Sequence, residues 1–440
     1  MTGKPNPHPA AFAAIAVAVM AVCFALVTAC GGGSGDDSST AVQPVTVTSV
    51  GPNAVSTWNE VAASTIVLPA TAGGTLEEAR PNYAVDLASV HVAIYDAVVA
   101  IAGTYRPYAI TPAAAADGAS QEAAVAAAAY GVLKGLFPSR SATYQPAYDS
   151  ALAAIADGTA KSRGVALGAE VAARVLTLRA NDGRSVVLAP FVSGTAPGQF
   201  RTASNPAARE NPFIRPFVVA GLAQFRAPGP PALTSAAYTA DVNEIKALGA
   251  ATSTTRSASQ TEIVRFHTEP PPLFWSRNLR LFATTGAPLV EQARLMAMLW
   301  VTHADAANTC FESKYAYLFW RPTTAITLDG DGNDATTADP TWVPVVPTPN
   351  HPEYPAAHSC VSGAMAEILR LYYGTADVTF DFTSKVTAST HHFTTTDALL
   401  DEVAVARIAG GMHFRTAITD GQALGKRVAD WVASHAFQKR

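Results

Sequence analysis

Apolar residues recur every three or four positions along most of the chain, a spacing that predicts amphipathic helices. Strict apolar–polar alternation is rare and Ala is abundant, so the protein should be rich in α-helix. Residues 182–234 are rich in Gly, Pro, Asn and Ser, and we expect a long irregular connection there. The spacing predicts helices over 79–103, 121–137, 141–156, 162–178, 236–248, 261–267, 275–285, 289–309 and 358–373.

Composition places the chain among folded proteins with a large core. Of its 440 residues, 49% are hydrophobic and only 15% are charged, which excludes disorder as the dominant state. The formal net charge is −4 and no long basic run is present, so we do not expect a nucleic-acid partner. The length allows one large domain or two ordinary ones.

The N-terminus resembles an export signal. Residues 10–29 are almost continuously apolar, and Val27-Thr28-Ala29-Cys30 matches a bacterial lipobox, followed by a Gly/Ser tether. We expect a lipoprotein signal over 1–29, lipid on Cys30 and a cell-envelope location. An uncleaved membrane anchor and a simple secretory signal are the alternatives. Each alternative places the folded part outside the cytoplasm, where disulfides persist.

The stretch Lys314–Pro322 carries two cations seven residues apart, with aromatic and apolar residues between them. On a helix this spacing would place Lys314 and Arg321 on one face, and Pro322 would end the helix. A point charge and a planar fork of donors together suit an oxyanion. The alternative is a surface helix whose cations extend beside the aromatic rings.

Two later stretches each add a histidine. In His351–Cys360 two prolines favour extended chain, so His358 should stand at a helix N-terminus, where the dipole favours an anion. The second stretch places Arg407 and His413 within a helical pattern that Gly410 and Gly411 weaken. Ordinary helix packing is the alternative for both stretches.

The order Lys-x6-Arg-Pro, Pro-x-Tyr-Pro-x-x-His and Arg-x5-His resembles the vanadium-dependent haloperoxidase and type 2 phosphatidic acid phosphatase superfamily. The bacterial soluble haloperoxidase branch is the most similar, over roughly residues 58–435. The resemblance implies an all-α fold of two packed four-helix-type bundles, with the site in the C-terminal one. We expect a signal over 1–29, a tether over 30–57, an N-terminal helical region over 58–250 and the site-bearing domain over 251–440.

The resemblance also implies roles for individual residues. Lys314, Arg321 and Arg407 would bind the oxygens of vanadate or phosphate. His413 would ligate vanadium, or attack phosphorus in a phosphatase, and His358 would be the acid–base residue. The cofactor would therefore be vanadate.

The chain departs from the family pattern at two places. Ala356-Ala357 replaces the usual Ser-Gly, which removes a hydroxyl and leaves the backbone near Ala357 to bind the oxyanion. Losing one neutral hydrogen bond costs about 0.5–1.5 kcal/mol. Ala417 stands where an Asp usually follows the histidine, so Asp420 and Asp305 are the alternative acids that would orient His413.

Three further residues gain meaning from the resemblance. His351 falls where some bromoperoxidases carry a second active-site histidine, and a plain loop residue is the alternative. Cys310 and Cys360 flank the predicted site, which makes a disulfide or two buried free thiols the alternatives. The acidic segment Asp329–Asp334 fails the EF-hand spacing, so we do not expect calcium there.

The sequence therefore predicts an enzyme that oxidises halide with hydrogen peroxide on bound vanadate. A phosphoric monoester hydrolase acting through a phospho-histidine at the same residues is the first alternative. A non-catalytic binding protein, touching the membrane only through its lipid anchor, is the second.

Overall fold

The computed structural model describes residues 43–67, 82–112 and 116–440. The predicted lipoprotein signal, the lipidation site at Cys30 and most of the tether lie outside these residues. Their export and anchoring stay predictions.

Helices dominate the described part of the chain, as the apolar spacing predicts. Four short 3-10 turns accompany them, at Pro138–Arg140, Asn211–Phe213, Leu222–Phe225 and Arg280–Ala283. The α-helices are α1 (Ala54–Ile66), α2 (Tyr83–Ala102), α3 (Gln121–Leu136), α4 (Ser141–Ala153), α5 (Thr159–Arg179), α6 (Ala236–Leu248), α7 (Ala258–Phe266), α8 (Pro271–Leu279), α9 (Leu289–Tyr317), α10 (Pro322–Thr327), α11 (Ala357–Tyr373), α12 (Thr396–Ala409) and α13 (Arg415–His435).

The helices pack in two groups. In the N-terminal group α2, α3 and α5 pack side by side, and in the C-terminal group α11 packs against both α9 and α13. Helices α2 and α9 pack against each other and join the groups into one hydrophobic core. The expected all-α class with packed bundles is confirmed, while the boundary at residue 250 stays a prediction.

A small sheet accompanies the helices and was not expected. Strand β1 (Val45–Thr46) pairs in parallel with β2 (Val378–Ser384), which pairs antiparallel with β3 (Ser389–Phe393). Alternate residues of β2 are buried, the pattern of a strand with one face on the core. The sheet packs at one side of the helices and does not alter the class.

Helix α2 is the one described helix that is long and apolar enough to cross a membrane. Of its most apolar window, 89% is buried inside the protein. Its apolar character is therefore explained by its central place between α3 and α9, because a helix packed on most sides needs no polar face.

The two helix groups share one structural device. The buried carboxylate of Asp96 on α2 accepts hydrogen bonds from three consecutive backbone N–H groups, at 108–110. Asp305 on α9 does the same for residues 217–219. Each acid fastens an irregular loop to a core helix, so the long connection over 182–234 is anchored beside α9.

A disulfide joins α9 to α11. Cys310 and Cys360 are bonded, and their Cα atoms lie 6.2 Å apart. Helix α13 crosses α11 very closely, because a side chain at Gly425 would collide with the backbone at Cys360. These contacts hold α9, α11 and α13 in one frame.

Replacing Cys310 and Cys360 together by Ala should destabilise the protein by about 4 kcal/mol, since the cross-link closes a loop of 50 residues. Urea unfolding of the oxidised parent and the double variant measures the difference. Equal stability, or two alkylatable thiols at these positions in the unreduced parent, would contradict the disulfide.

Candidate functional site

Lys314 and Arg321 do not share a helix, contrary to the prediction. Helix α9 ends at Tyr317, because Leu318 turns into the left-handed region with φ 49°. Residues 318–320 then form backbone hydrogen bonds with residues 198–200 of the long connection. Those bonds outweigh helix propensity, and Pro322 begins α10 rather than ending a helix.

The second stretch does lead into a helix as expected. Helix α11 begins at Ala357, and His358 is its second residue. Ala356 is the N-cap and forms no side-chain cap, since it has no polar group. Its own N–H donates to the carbonyl of Ala417, whose position in the family pattern belongs to an acid.

The third stretch breaks where the glycines predict a break. Helix α12 ends at Ala409, and Gly411 has φ 75°. A Cβ at Gly411 would lie 2.7 Å from the carbonyl oxygen of Gly249, so the backbone approach requires glycine. His413 therefore sits in the short link before α13 and not on a helix.

The three predicted cations are all buried. Lys314 is inaccessible, and its Nζ donates to the carbonyls of Pro352 and Glu353 at 2.8 Å. An ammonium has three N–H groups, so one remains for a ligand. Burial, followed by the charge of Arg321, lowers the pKa of Lys314 well below its usual value.

The two guanidinium groups are bound differently. Arg321 donates to the carbonyls of His351 and Met412 and lies 3.2 Å from Nε2 of His413. Arg407 donates to the carbonyl of His267 at 2.9 Å and contacts the sulfur of Met412. Its Nε is buried without a partner, so Arg407 retains donors for a ligand.

His413 is oriented by Glu353. Nδ1 of His413 lies 3.0 Å from Oε1 of Glu353, and the same oxygen accepts the N–H of Phe414 at 3.0 Å. Because Arg321 can only donate, Nε2 of His413 must be the acceptor and Nδ1 must carry the proton. Burial lowers the pKa of His413 well below its usual value, so the ring is neutral with a lone pair on Nε2.

Glu353 is thus a site residue that the sequence reasoning missed. Burial raises its pKa to about 8, opposed by the charges of Lys314 and Arg321. The donors at Oε1 require an accepting carboxylate there. An acid between two prolines of a motif, in an otherwise apolar segment, was the available signal.

Neither acid proposed for this role reaches His413. Asp305 is occupied by the backbone of 217–219, and burial raises its pKa to about 6. Asp420 accepts a hydrogen bond from Tyr354, because it lies one turn too far along α13. Both residues hold the scaffold.

His358 feels the whole cluster. Burial lowers its pKa well below the usual value, and the next contribution comes from Arg407, with smaller ones from Lys314 and Arg321. His358 is therefore neutral in the ligand-free site. An anion that neutralises these cations would raise its pKa and let it hold a proton.

His351 joins the same site through Arg321. A guanidinium nitrogen of Arg321 lies 3.0 Å from Nδ1 of His351, and the ring lies 5.2 Å from that of Phe311. Together with Ala357 and His358 it lines a cavity that adjoins the cations. The structure thus brings together Lys314, Arg321, His351, Ala357, His358, Arg407 and His413.

Residues 294–440 match the family model described as VCPO second helical-bundle domain. This segment belongs to the vanadium chloroperoxidase helical-bundle family. It contains every residue assigned to the site from the sequence. Vanadium chloroperoxidase of Curvularia inaequalis is 28% identical over an alignment of 123 positions, which covers 23% of this chain and 20% of that protein. The chain thus matches about a fifth of the length of this relative.

Two bacterial haloperoxidase structures share the fold. The first bacterial vanadium-dependent iodoperoxidase has a TM-score of 0.72 and 22% identity, covering 89% of this chain and 99% of that one. A bacterial vanadium-dependent chloroperoxidase in its apo form has a TM-score of 0.61 and 16% identity, covering 83% and 95%. The resemblance seen in the sequence is confirmed, and the similarity in fold extends beyond the C-terminal segment.

The residues present fit vanadate. An orphaned buried Nε on Arg407, an open donor on Lys314 and the lone pair of His413 suit an oxyanion bound through one nitrogen. Among the described residues, no group of three or more His, Cys, Asp or Glu could hold a simple metal cation. The donor set therefore selects an oxyanion over a bare ion.

Glu353→Gln should weaken vanadate binding about 10- to 100-fold, because an amide can donate to Nδ1 and move the proton of His413 to Nε2. Removing a negative charge would by itself strengthen anion binding, so a weaker affinity identifies the tautomer effect. Calorimetric titration of vanadate measures it. Glu60→Gln, at an exposed ion pair with Arg280, is the control. Unchanged or tighter binding by the Glu353 variant would contradict the assignment.

Ala356→Ser should tighten vanadate binding by up to about tenfold, since it adds one neutral hydrogen bond of about 0.5–1.5 kcal/mol. The same titration measures the gain, with thermal unfolding in parallel. A higher melting temperature without tighter binding would mean that the hydroxyl caps α11 instead.

Proposed function

We propose that this protein binds vanadate and uses hydrogen peroxide to oxidise halide. The observation that carries the proposal is the charge of the site. Lys314, Arg321 and Arg407 are all at most 2% exposed, and Glu353 is the only acid that hydrogen-bonds the site histidine in the described part of the chain. Three positive charges and one negative charge leave a formal excess of two, which a multiply charged oxyanion would balance.

Halide oxidation, written X⁻ + H2O2 + H⁺ → HOX + H2O, needs a Lewis acid, a proton and a halide near one another. Bound vanadate supplies the Lewis acid that activates peroxide. Lys314 and Arg407 neutralise the charge of the oxyanion with their open donors. Arg321 holds His351 and His413 in place through its hydrogen bonds.

His413 and His358 have separate tasks in this proposal. His413 offers its Nε2 lone pair, and Glu353 keeps the proton on Nδ1. His358, at the start of α11, takes up a proton when an anion neutralises the cations around it. It then delivers the proton that the reaction consumes.

A phosphatase remains the competing function, and the geometry of His413 is what favours it. A neutral imidazole with a free Nε2 is also a nucleophile toward phosphorus. The relatives support the peroxidase, because they are described as a vanadium chloroperoxidase and vanadium-dependent peroxidases of iodide or chloride.

We also propose that the protein works in the cell envelope, held by lipid on Cys30. The lipobox-like sequence supports export. The bond between Cys310 and Cys360 supports an oxidising compartment.

The full-length protein loaded with vanadate should oxidise iodide or bromide with peroxide, and His413→Ala should lower the rate at least about 100-fold. The reason is loss of the only nitrogen placed to bond vanadium. His392→Ala is the control, because that histidine is exposed and pairs with Asp381.

The vanadate-free protein is assayed in parallel on a chromogenic phosphate ester. Phosphate release without halide oxidation would replace the proposal by the phosphatase. Silence in both assays would favour a non-catalytic binding protein. Halide oxidation that survives His413→Ala would reject the assigned ligand.

A further inference from the structure

A cavity of about 260 Å³ adjoins the anion site. His351, Ala357 and His358 form the part of its lining nearest the cations. The rest of its lining comes from other segments: Asn82, Tyr83, Ala84, Ala208, Glu210, Asn211, Pro271, Trp275, His303, Ala307, Phe311 and Val361. Neither halide nor peroxide needs so much space.

The walls of this cavity are mainly aromatic and apolar. Trp275 and Tyr83 each pack edge-on against His303, with ring centroids 6.0 and 5.4 Å away. Phe311 lies against His351 on another side. An apolar cavity of about 150 Å³ suffices for benzene, so this one has room for an aromatic compound of one or two rings.

The polar groups in the cavity wall include acceptors without partners. Oδ1 of Asn211 is buried and has no hydrogen-bond partner, and the residue is only 5% exposed. A buried polar atom without a partner costs roughly 1–3 kcal/mol, which a ligand donor would recover. The neighbouring Glu210 adds a half-buried carboxylate, which disfavours anionic ligands.

We propose that this cavity binds an electron-rich aromatic compound of one or two rings that carries an N–H or O–H donor. The donor bonds Oδ1 of Asn211, and the ring stacks among Tyr83, Trp275 and Phe311. The aromatic compound is then halogenated beside the anion site. This inference rests on the proposed function.

The overall change is balanced as ArH + X⁻ + H2O2 + H⁺ → ArX + 2 H2O. A C–H bond breaks and a C–X bond forms, while halide is oxidised and peroxide is reduced to water. The ring proton leaves as the C–X bond forms, so each turnover consumes one proton net. His358, which lines the cavity, is placed to exchange it.

Calorimetric titration of the vanadate-free, full-length protein with indole and 1-methylindole tests the binding step without catalysis. Indole should bind, and 1-methylindole should bind up to about tenfold more weakly, because it lacks the N–H donor. Asn211→Leu should abolish the difference between the two. Ala307→Phe, which fills the cavity, should weaken both ligands at least about tenfold.

Asn243→Leu is the matched control, because that asparagine is exposed on α6 and should leave both affinities unchanged. Equal binding of the two indoles by the parent, absence of binding, or full binding by the Ala307 variant would overturn the proposal.

A second measurement separates this proposal from the proposed function. With vanadate, bromide and peroxide, the parent should give a ratio of bromoindole isomers that differs from that of free hypobromite, and Ala307→Phe should restore the free ratio. Triiodide formation without indole reports whether halide is oxidised at all. Normal triiodide formation with the free isomer ratio would overturn the cavity proposal alone. Failure of triiodide formation with intact indole discrimination would overturn the halide oxidation alone.

Discussion

Burial of three cations at one point is the constraint on which the rest of the site depends. Removing a charge from water costs several kcal/mol even after the protein relaxes, and neighbouring like charges add to that cost. Hydrogen bonds to the carbonyls of Pro352, Glu353, His351 and Met412 offset part of it. The lowered pKa of Lys314 shows that the offset is incomplete. The ligand-free site therefore favours an oxyanion.

The surrounding fold keeps these charges from moving apart. The Cys310–Cys360 bond ties the helix that carries Lys314 to the helix that carries His358. Close packing at Gly425 brings α13 against α11, which positions the link that carries His413. Asp305 fastens residues 217–219 of the long connection against α9, although it does not touch the site. The frame is rigid where the cations need it.

The sequence was informative where local patterns decide structure. Helices such as α6 at 236–248 match the apolar spacing at both ends, and the three motifs name the residues that converge. It was misleading where distant contacts decide. Arg321 leaves the helix of Lys314 because residues 318–320 pair with 198–200, and that partner lies more than 100 positions away. Glu353 escaped notice because its role depends on His413, 60 positions along the chain. The short hairpin of β2 and β3 was hidden among helical segments.

The anion site and the adjoining cavity together imply chemistry on bound partners, with His358 shared between the two. The central claim is that His413 presents a free Nε2 to an oxyanion held by Lys314 and Arg407. Anomalous diffraction at the vanadium absorption edge from a vanadate-soaked crystal tests it most directly. The account predicts one strong vanadium peak at bonding distance from Nε2 of His413. A peak elsewhere, or an empty site with Nε2 still against Arg321, would contradict it.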